Sequence, residues 1–131
     1  MLFAAALLLA QTAPQCTATD AALPSTLAGW TTPGDEFAVG KPVVLEAPAG
    51  SVTIGFRIDK AGNYGIALDQ AGWIDVSAVG ASAPLKSVAH GHGPDCSSIR
   101  KVVRFALEPG AYRLDLRNLK TAKTKVMLVA P

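Results

Sequence analysis

The chain has 131 residues, a formal net charge of +2 and 17% charged residues. This length suits one domain with one hydrophobic core, and no apolar run reaches the roughly 20 residues that a membrane-spanning helix needs. After position 96, eight basic residues stand against two acidic ones, but aromatic residues do not alternate with them. We therefore expect no nucleic-acid binding. We interpret the basic residues after position 96 as side chains on solvated strand faces rather than as a site for an anionic partner.

The chain begins with a segment that resembles a signal peptide. Residues 2–10 are continuously apolar and small residues follow, which predicts a signal peptide over 1–13 with cleavage after Ala10 or Ala13. No Lys or Arg precedes the apolar run, and Gln15 stands where a lipoprotein signal has a small residue before Cys16. The alternative is a buried N-terminal strand or helix. We expect a periplasmic or secreted protein with a mature domain over 14–131 and no transmembrane anchor after cleavage.

The two cysteines, Cys16 and Cys96, are the only ones in the chain. An oxidising compartment lets disulfides persist, so export predicts a disulfide between them. In the chain-entropy model such a long loop stabilises the fold by roughly 4 kcal/mol. The bond would also join the start of the mature chain to the stretch HGHGPDC at 90–96.

Apolar and polar residues alternate along most of the chain after residue 40. In SVTIGFRI at 51–58, one face is formed by Val52, Ile54, Phe56 and Ile58. Similar runs, separated by Gly, Pro, Asp or Asn turns, are KPVVLEA, YGIAL, WIDVSAV, PLKSVA, VVRFAL, AYRLDLRN and TKVMLVA. About eight such strands predict an all-β fold, a single antiparallel β-sandwich or jelly-roll-like domain. At most one helical turn is expected, at 20–30.

Two runs carry a resemblance to known proteins. FRIDKAGNYGIALDQAGWIDV at 56–76 and VVRFALEPGAYRLDLRNL at 102–119 resemble small secreted β-sandwich modules of the bacterial pre-peptidase C-terminal type. The elements WIDV, HGHGPDCSSIRKVVRF and LEPGAYRL also resemble short exported proteins of alphaproteobacteria, which automatic naming sometimes labels homogentisate 1,2-dioxygenase. The first resemblance implies a secreted sandwich, and the label would imply an iron enzyme of the cupin type.

Both histidines of the chain lie in HGHGPDC, and they form a candidate metal site. His90 and His92 are two residues apart, so on an extended strand both side chains project from one face. Asp95 would add a carboxylate, and two histidines with one carboxylate form the ligand set of non-haem iron sites. Zinc or copper accepts the same nitrogens. A divalent transition metal is therefore the one cofactor that the sequence suggests.

The cupin pattern fits this stretch only in part. The segment His90–His92 matches the H-x-H core, but Cys96 and Ser97 occupy the positions of the cupin glutamate. The second cupin motif requires a histidine after its Pro and Gly turn, and none follows Gly110. Dioxygenase activity is therefore implied only by the homogentisate 1,2-dioxygenase label of the similar proteins. The preferred interpretation of HGHGPDC is a structural loop that the glycines let turn and that Cys96 anchors.

Trp73 and Asp75 form a second candidate site, because the alternation in WIDVSAV places them on one strand face. A tryptophan beside an acidic residue on a sandwich can bind sugar, although the same side chain can pack across the sheet. No G-x-S-x-G elbow or phosphate-binding loop is present, so no catalytic residue is assigned. The sequence favours an exported binding or accessory module, with a metal-binding protein as the alternative.

Overall fold

The computed structural model describes residues 16–131, so the predicted signal peptide at 1–13 lies outside the described residues. Within these residues, eight strands form two antiparallel sheets, which confirms the predicted all-β sandwich. One 3-10 helix, Ser25–Thr31, lies in the region where a helical turn was expected. The strands are β1 Val43–Glu46, β2 Val52–Ile58, β3 Gly62–Leu68, β4 Trp73–Ala78, β5 Ala89–His92, β6 Lys101–Leu107, β7 Gly110–Arg117 and β8 Lys123–Val129.

The larger sheet has five strands in the order β1-β8-β3-β6-β5, and the smaller has three in the order β2-β7-β4. Strand β4 is thus an edge of one sheet and β5 an edge of the other. The crossover segment, residues 79–88, connects these two edges. Its Leu85 N–H donates to the Val76 carbonyl on β4, and its Val88 N–H donates to the Arg104 carbonyl on β6, each at 2.8 Å. One edge of the sandwich is therefore formed by β4, the crossover segment and β5.

The main core lies between the two sheets, where the inward-facing residues of the alternating runs meet. On β7 these are Tyr112, Leu114 and Leu116, all buried. The Tyr112 ring stacks on Phe56 of β2 with centroids 5.6 Å apart. Its hydroxyl donates to the Glu108 carbonyl at 2.7 Å and accepts from the Glu108 N–H at 2.9 Å. Each large apolar side chain buried in this way stabilises the fold by roughly 1.5–3 kcal/mol.

A second apolar layer covers the outer face of the larger sheet. Met127 and Val129 point outward from β8 and are buried under Leu27 and Trp30 of the 3-10 helix. Trp30 is 0% exposed, and its indole N–H donates to the Ser98 hydroxyl at 2.9 Å. This covering explains why the middle strands of the larger sheet are buried on both faces, which simple alternation does not predict.

The N-terminal strap, residues 16–31, is attached to the loop after β5. A disulfide joins Cys16 to Cys96 with 5.2 Å between the Cα atoms, which confirms the predicted pairing. The Asp20 carboxylate accepts hydrogen bonds from the Ser98 N–H at 2.7 Å and from its hydroxyl at 2.6 Å. Covalent and polar contacts therefore hold the strap at the same point.

The strand predicted over PLKSVA at 84–89 is wrong, because the structure places β5 at Ala89–His92. Leu85 and Val88, the large apolar residues of that run, are 38% and 54% exposed. The crossover segment passes from one sheet to the other, so its apolar residues have no continuous sheet face to cover. The sequence HGH, interpreted above as part of a loop, is instead an edge strand, and the loop begins at Gly93.

Candidate ligand-binding site

The histidines face the space between the sheets. Strand β5 pairs antiparallel with β6, so that His90 lies opposite Val103 and His92 opposite Lys101. Cross-strand partners share a face, and Val103 belongs to the main core. Both imidazoles therefore lie on the inner side of β5, as the spacing of two predicts, and both residues are exposed because this is the rim of the sandwich.

A cleft of about 530 Å³ opens between the edges β4 and β5. Ile74, Val103 and Phe105 give it apolar walls, and Leu85 of the crossover segment extends them at the rim. The Lys101 ammonium donates to the Gly72 carbonyl at 2.7 Å and so links β6 to the turn before β4. The residues lining the cleft are Ala71, Trp73, Ile74, Asp75, Leu85, Ser87, His90, Gly91, His92, Arg100, Lys101, Val103 and Phe105.

Asp95, the predicted third metal ligand, is not among the residues that line the cleft. It lies exposed in the turn after β5, next to Cys96, whose sulfur is held in the disulfide. Within residues 16–131, no three histidine, cysteine, aspartate or glutamate side chains lie close enough together to hold a metal ion. The structure thus brings His90 and His92 to one face without assembling a complete ligand set among the described residues.

Trp73 and Asp75 lie on the outer face of the smaller sheet, and at the edge they also border the cleft. Trp73 is opposite Arg117 on β7 and is 61% exposed, so it does not pack across the sheet. The Arg117 guanidinium donates to the Asp75 carboxylate. Trp73 and Asp75, the second predicted site, are therefore accessible to a ligand, and the charge of Asp75 is already paired with that of Arg117.

The pKa of one carboxyl group on this face is shifted. Partial burial acts to raise the pKa of Asp115, but hydrogen bonds from Thr53 and Arg113 oppose it. Together with the positive charges of Arg113 and Arg117, these bonds hold the pKa below its ordinary value. Asp115 is therefore held as a carboxylate by the side chains around it.

Sequence reasoning missed the residues that give the cleft its shape. Leu85, Lys101 and Phe105 come from three separate segments, and each resembles an ordinary strand residue in its own segment. No local pattern marks any of the three as a residue that lines a cleft. The site depends on the approach of β4 and β5, which no local spacing reveals.

Comparison with protein-family models, curated proteins and solved structures finds no match to this chain. The resemblances to pre-peptidase C-terminal modules and to short exported alphaproteobacterial proteins therefore stay predictions. No helix in the part of the chain from residue 16 to 131 is both long and apolar enough to cross a membrane. The Cys16–Cys96 disulfide is compatible with a secreted or periplasmic protein, since disulfides persist in those compartments.

Proposed function

We propose that this chain is an exported binding or accessory module without catalytic activity, and that the cleft between β4 and β5 is its ligand site. The observation that carries this proposal is the composition of the cleft. Apolar walls from both sheets meet a rim with a few polar groups, which is the usual construction of small-molecule sites. Its volume of about 530 Å³ falls within the range of roughly 300–1,000 Å³ that such sites occupy.

The lining defines the general shape of the ligand. An apolar body would lie against Ile74, Val103 and Phe105, while a polar group would reach His90 and His92 at the rim. Neutral imidazole carries both a donor and an acceptor. Such a site suits a small molecule with an apolar body and one polar end.

The test uses a matched pair of variants in the crossover segment. A library of small aromatic and aliphatic fragments is screened against the ¹⁵N-labelled, disulfide-bonded protein by NMR. Amide shifts should cluster on β4, β5 and β6, and Leu85→Ala should weaken binding of the best fragment severalfold. Val79→Ala is the control, because Val79 is 67% exposed and does not line the cleft. Two results would refute the proposal: amide shifts that are confined to other surfaces, or fragment binding by Leu85→Ala that is as strong as binding by Val79→Ala.

A second candidate function, metal binding, is favoured by the common face of His90 and His92. Two imidazoles on one exposed strand face would bind Zn²⁺, Cu²⁺ or Fe²⁺ through their nitrogens. A metal that binds only the folded protein raises its melting temperature by mass action. A stoichiometric rise at micromolar metal that is lost in both His90→Ala and His92→Ala would support this function. No rise, or a rise that survives both substitutions, would exclude these residues as the site.

A further inference from the structure

The outer face of the smaller sheet carries an ordered set of polar side chains. The register of β2, β7 and β4 places Asp115 between Thr53 and Asp75, with the arginines of β7 on either side. We call this set the polar grid; it consists of Thr53, Asp75, Arg113, Asp115 and Arg117. A shallow groove of about 500 Å³ runs over it, lined also by Ser51, Ser77, Pro84 and Leu116.

The charges of the polar grid are paired with one another. Two carboxylates directly opposite each other, Asp75 and Asp115, would repel if left alone. Arg117 donates to Asp75, and Arg113 Nε donates to Asp115 Oδ2 at 3.0 Å. The Thr53 hydroxyl donates to the other oxygen of Asp115 at 2.6 Å. The grid is therefore fixed in position and close to electrically neutral.

The paired groups retain hydrogen-bonding capacity toward solvent. A guanidinium has five N–H donors and a carboxylate roughly four acceptor positions, so the pairing uses only part of each. The side chains of Arg113 and Arg117 are 50% and 57% exposed. The face thus presents fixed donors and acceptors side by side, which suits a neutral ligand with many hydroxyl groups.

Trp73 supplies an aromatic surface at one end of this grid. It lies opposite Arg117 on the same face and is 61% exposed, whereas Trp30 is fully buried. A large aromatic ring left in water beside fixed polar groups presents a flat apolar surface. Tryptophan gives such contact area with few rotatable bonds. A pyranose ring has the complementary form, with one face of C–H groups and a periphery of hydroxyl groups.

We propose that the outer face of the smaller sheet binds a neutral glycan, with one pyranose ring stacked on Trp73 and neighbouring sugar hydroxyls bonded to the polar grid. The internal pairing of charges favours an uncharged ligand over a polyanion. Paired arginines have lost much of the free positive charge that phosphate recognition uses. The proposed glycan site lies on the outer face of the smaller sheet, whereas Ile74 faces inward to the cleft. Trp73 and Asp75 border both at the sheet edge.

The experiment titrates the full disulfide-bonded chain with cellohexaose, xylohexaose, mannohexaose and chitohexaose. NMR of the two indole N–H groups provides the readout, because the buried Trp30 serves as an internal reference for Trp73. At least one of these sugars should shift the Trp73 resonance and leave that of Trp30 in place. The sugar is raised to about 10 mM, well above the roughly millimolar Kd of a weak ligand.

Variants then separate stacking from general surface effects. Backbone amide shifts of β4 and β7 give the association constants of the variants, because those changed at Trp73 lack its indole N–H. Trp73→Ala should lower the association constant about tenfold or more, and Trp73→Phe should retain most of the binding because a ring remains. Arg117→Gln should weaken binding through the grid. Val44→Ala is the control, since Val44 is 48% exposed but lies on β1 of the other sheet. Circular dichroism and melting curves verify that each variant is folded.

Three results would overturn the proposal. One is the absence of a Trp73 shift with all four sugars, and another is unchanged affinity in a folded Trp73→Ala variant. The third comes from polygalacturonate, which is titrated in parallel as a polyanion: it would bind more tightly than the neutral sugars and lose this binding when salt is added. That result would identify a charge-driven site for polyanions, because exposed ionic contacts are screened by salt.

Discussion

Replacing Cys16 and Cys96 together by alanine should lower the free energy of unfolding by about 4.5 kcal/mol. The two residues are 80 positions apart. For a loop of that length the chain-entropy model gives about −15 cal/mol/K, which is about 4.5 kcal/mol at 298 K. The effect arises in the unfolded chain, which gains conformations once the cross-link is removed. The folded strap should stay in place, because Trp30 remains buried and Asp20 still binds Ser98.

Guanidinium denaturation of the wild type and the double variant measures this loss. The slope of the unfolding free energy against denaturant should also increase, because an uncross-linked chain exposes more surface. Asp20→Ala is the matched control: it removes contacts of the same strap, leaves the disulfide intact and should not change the slope. A loss below about 1 kcal/mol would refute this reasoning, since ordinary surface substitutions already change stability by up to about 0.5 kcal/mol. Two free thiols in the denatured, unreduced wild type would refute the disulfide itself.

Two further predictions concern the end of β5 and the polar grid. Gly93→Ala should lower the free energy of unfolding by at least about 1–3 kcal/mol, because the new Cβ would clash with the Ile99 carbonyl. Gly91→Ala should leave it nearly unchanged, because a Cβ there meets open space. Thermal melting of both variants measures the difference, and equal melting temperatures would contradict it. The folded pKa of Asp115 is lowered, so its contribution to stability is present above its ordinary pKa of about 4 and is lost as pH falls through the lower folded value. Thr53→Val should move that pKa back toward the ordinary value, and a ¹³C NMR titration that shows no such rise would contradict the assigned cause.

The strands could be predicted from the sequence because most of them have one solvent-exposed face and one buried face. Strand β2 shows this best, since Thr53 and Arg57 are exposed while Phe56 and Ile58 are buried. The same reasoning failed at 84–89, because Leu85 and Val88 belong to the crossover segment, which has no sheet face behind it. It also gave no sign of the second apolar layer, because the partners of Met127 lie about 100 residues earlier in the chain.

The candidate sites were predicted in pieces. The disulfide followed from having two cysteines and a secretion-type start, and the common face of His90 and His92 followed from their spacing. Asp95 was grouped with them because it is three residues away in sequence, but the chain turns after β5 and leaves it in the exposed loop. The cleft itself required the positions of β4 and β5, which belong to different sheets.

The connection between β4 and β5 explains why the candidate residues gather at one edge of the sandwich. These strands are consecutive in the chain, and the crossover segment carries the backbone from the edge of one sheet to the edge of the other. Along β4, Trp73 and Asp75 face outward to the polar grid, while Ile74 faces inward to the cleft. One strand thus contributes to two sites on opposite faces. Trp73 and Asp75 also border the cleft at its rim, whereas Leu85 does not line the groove over the polar grid. Leu85→Ala should therefore weaken fragment binding and leave glycan binding unchanged, which separates the two sites in one protein.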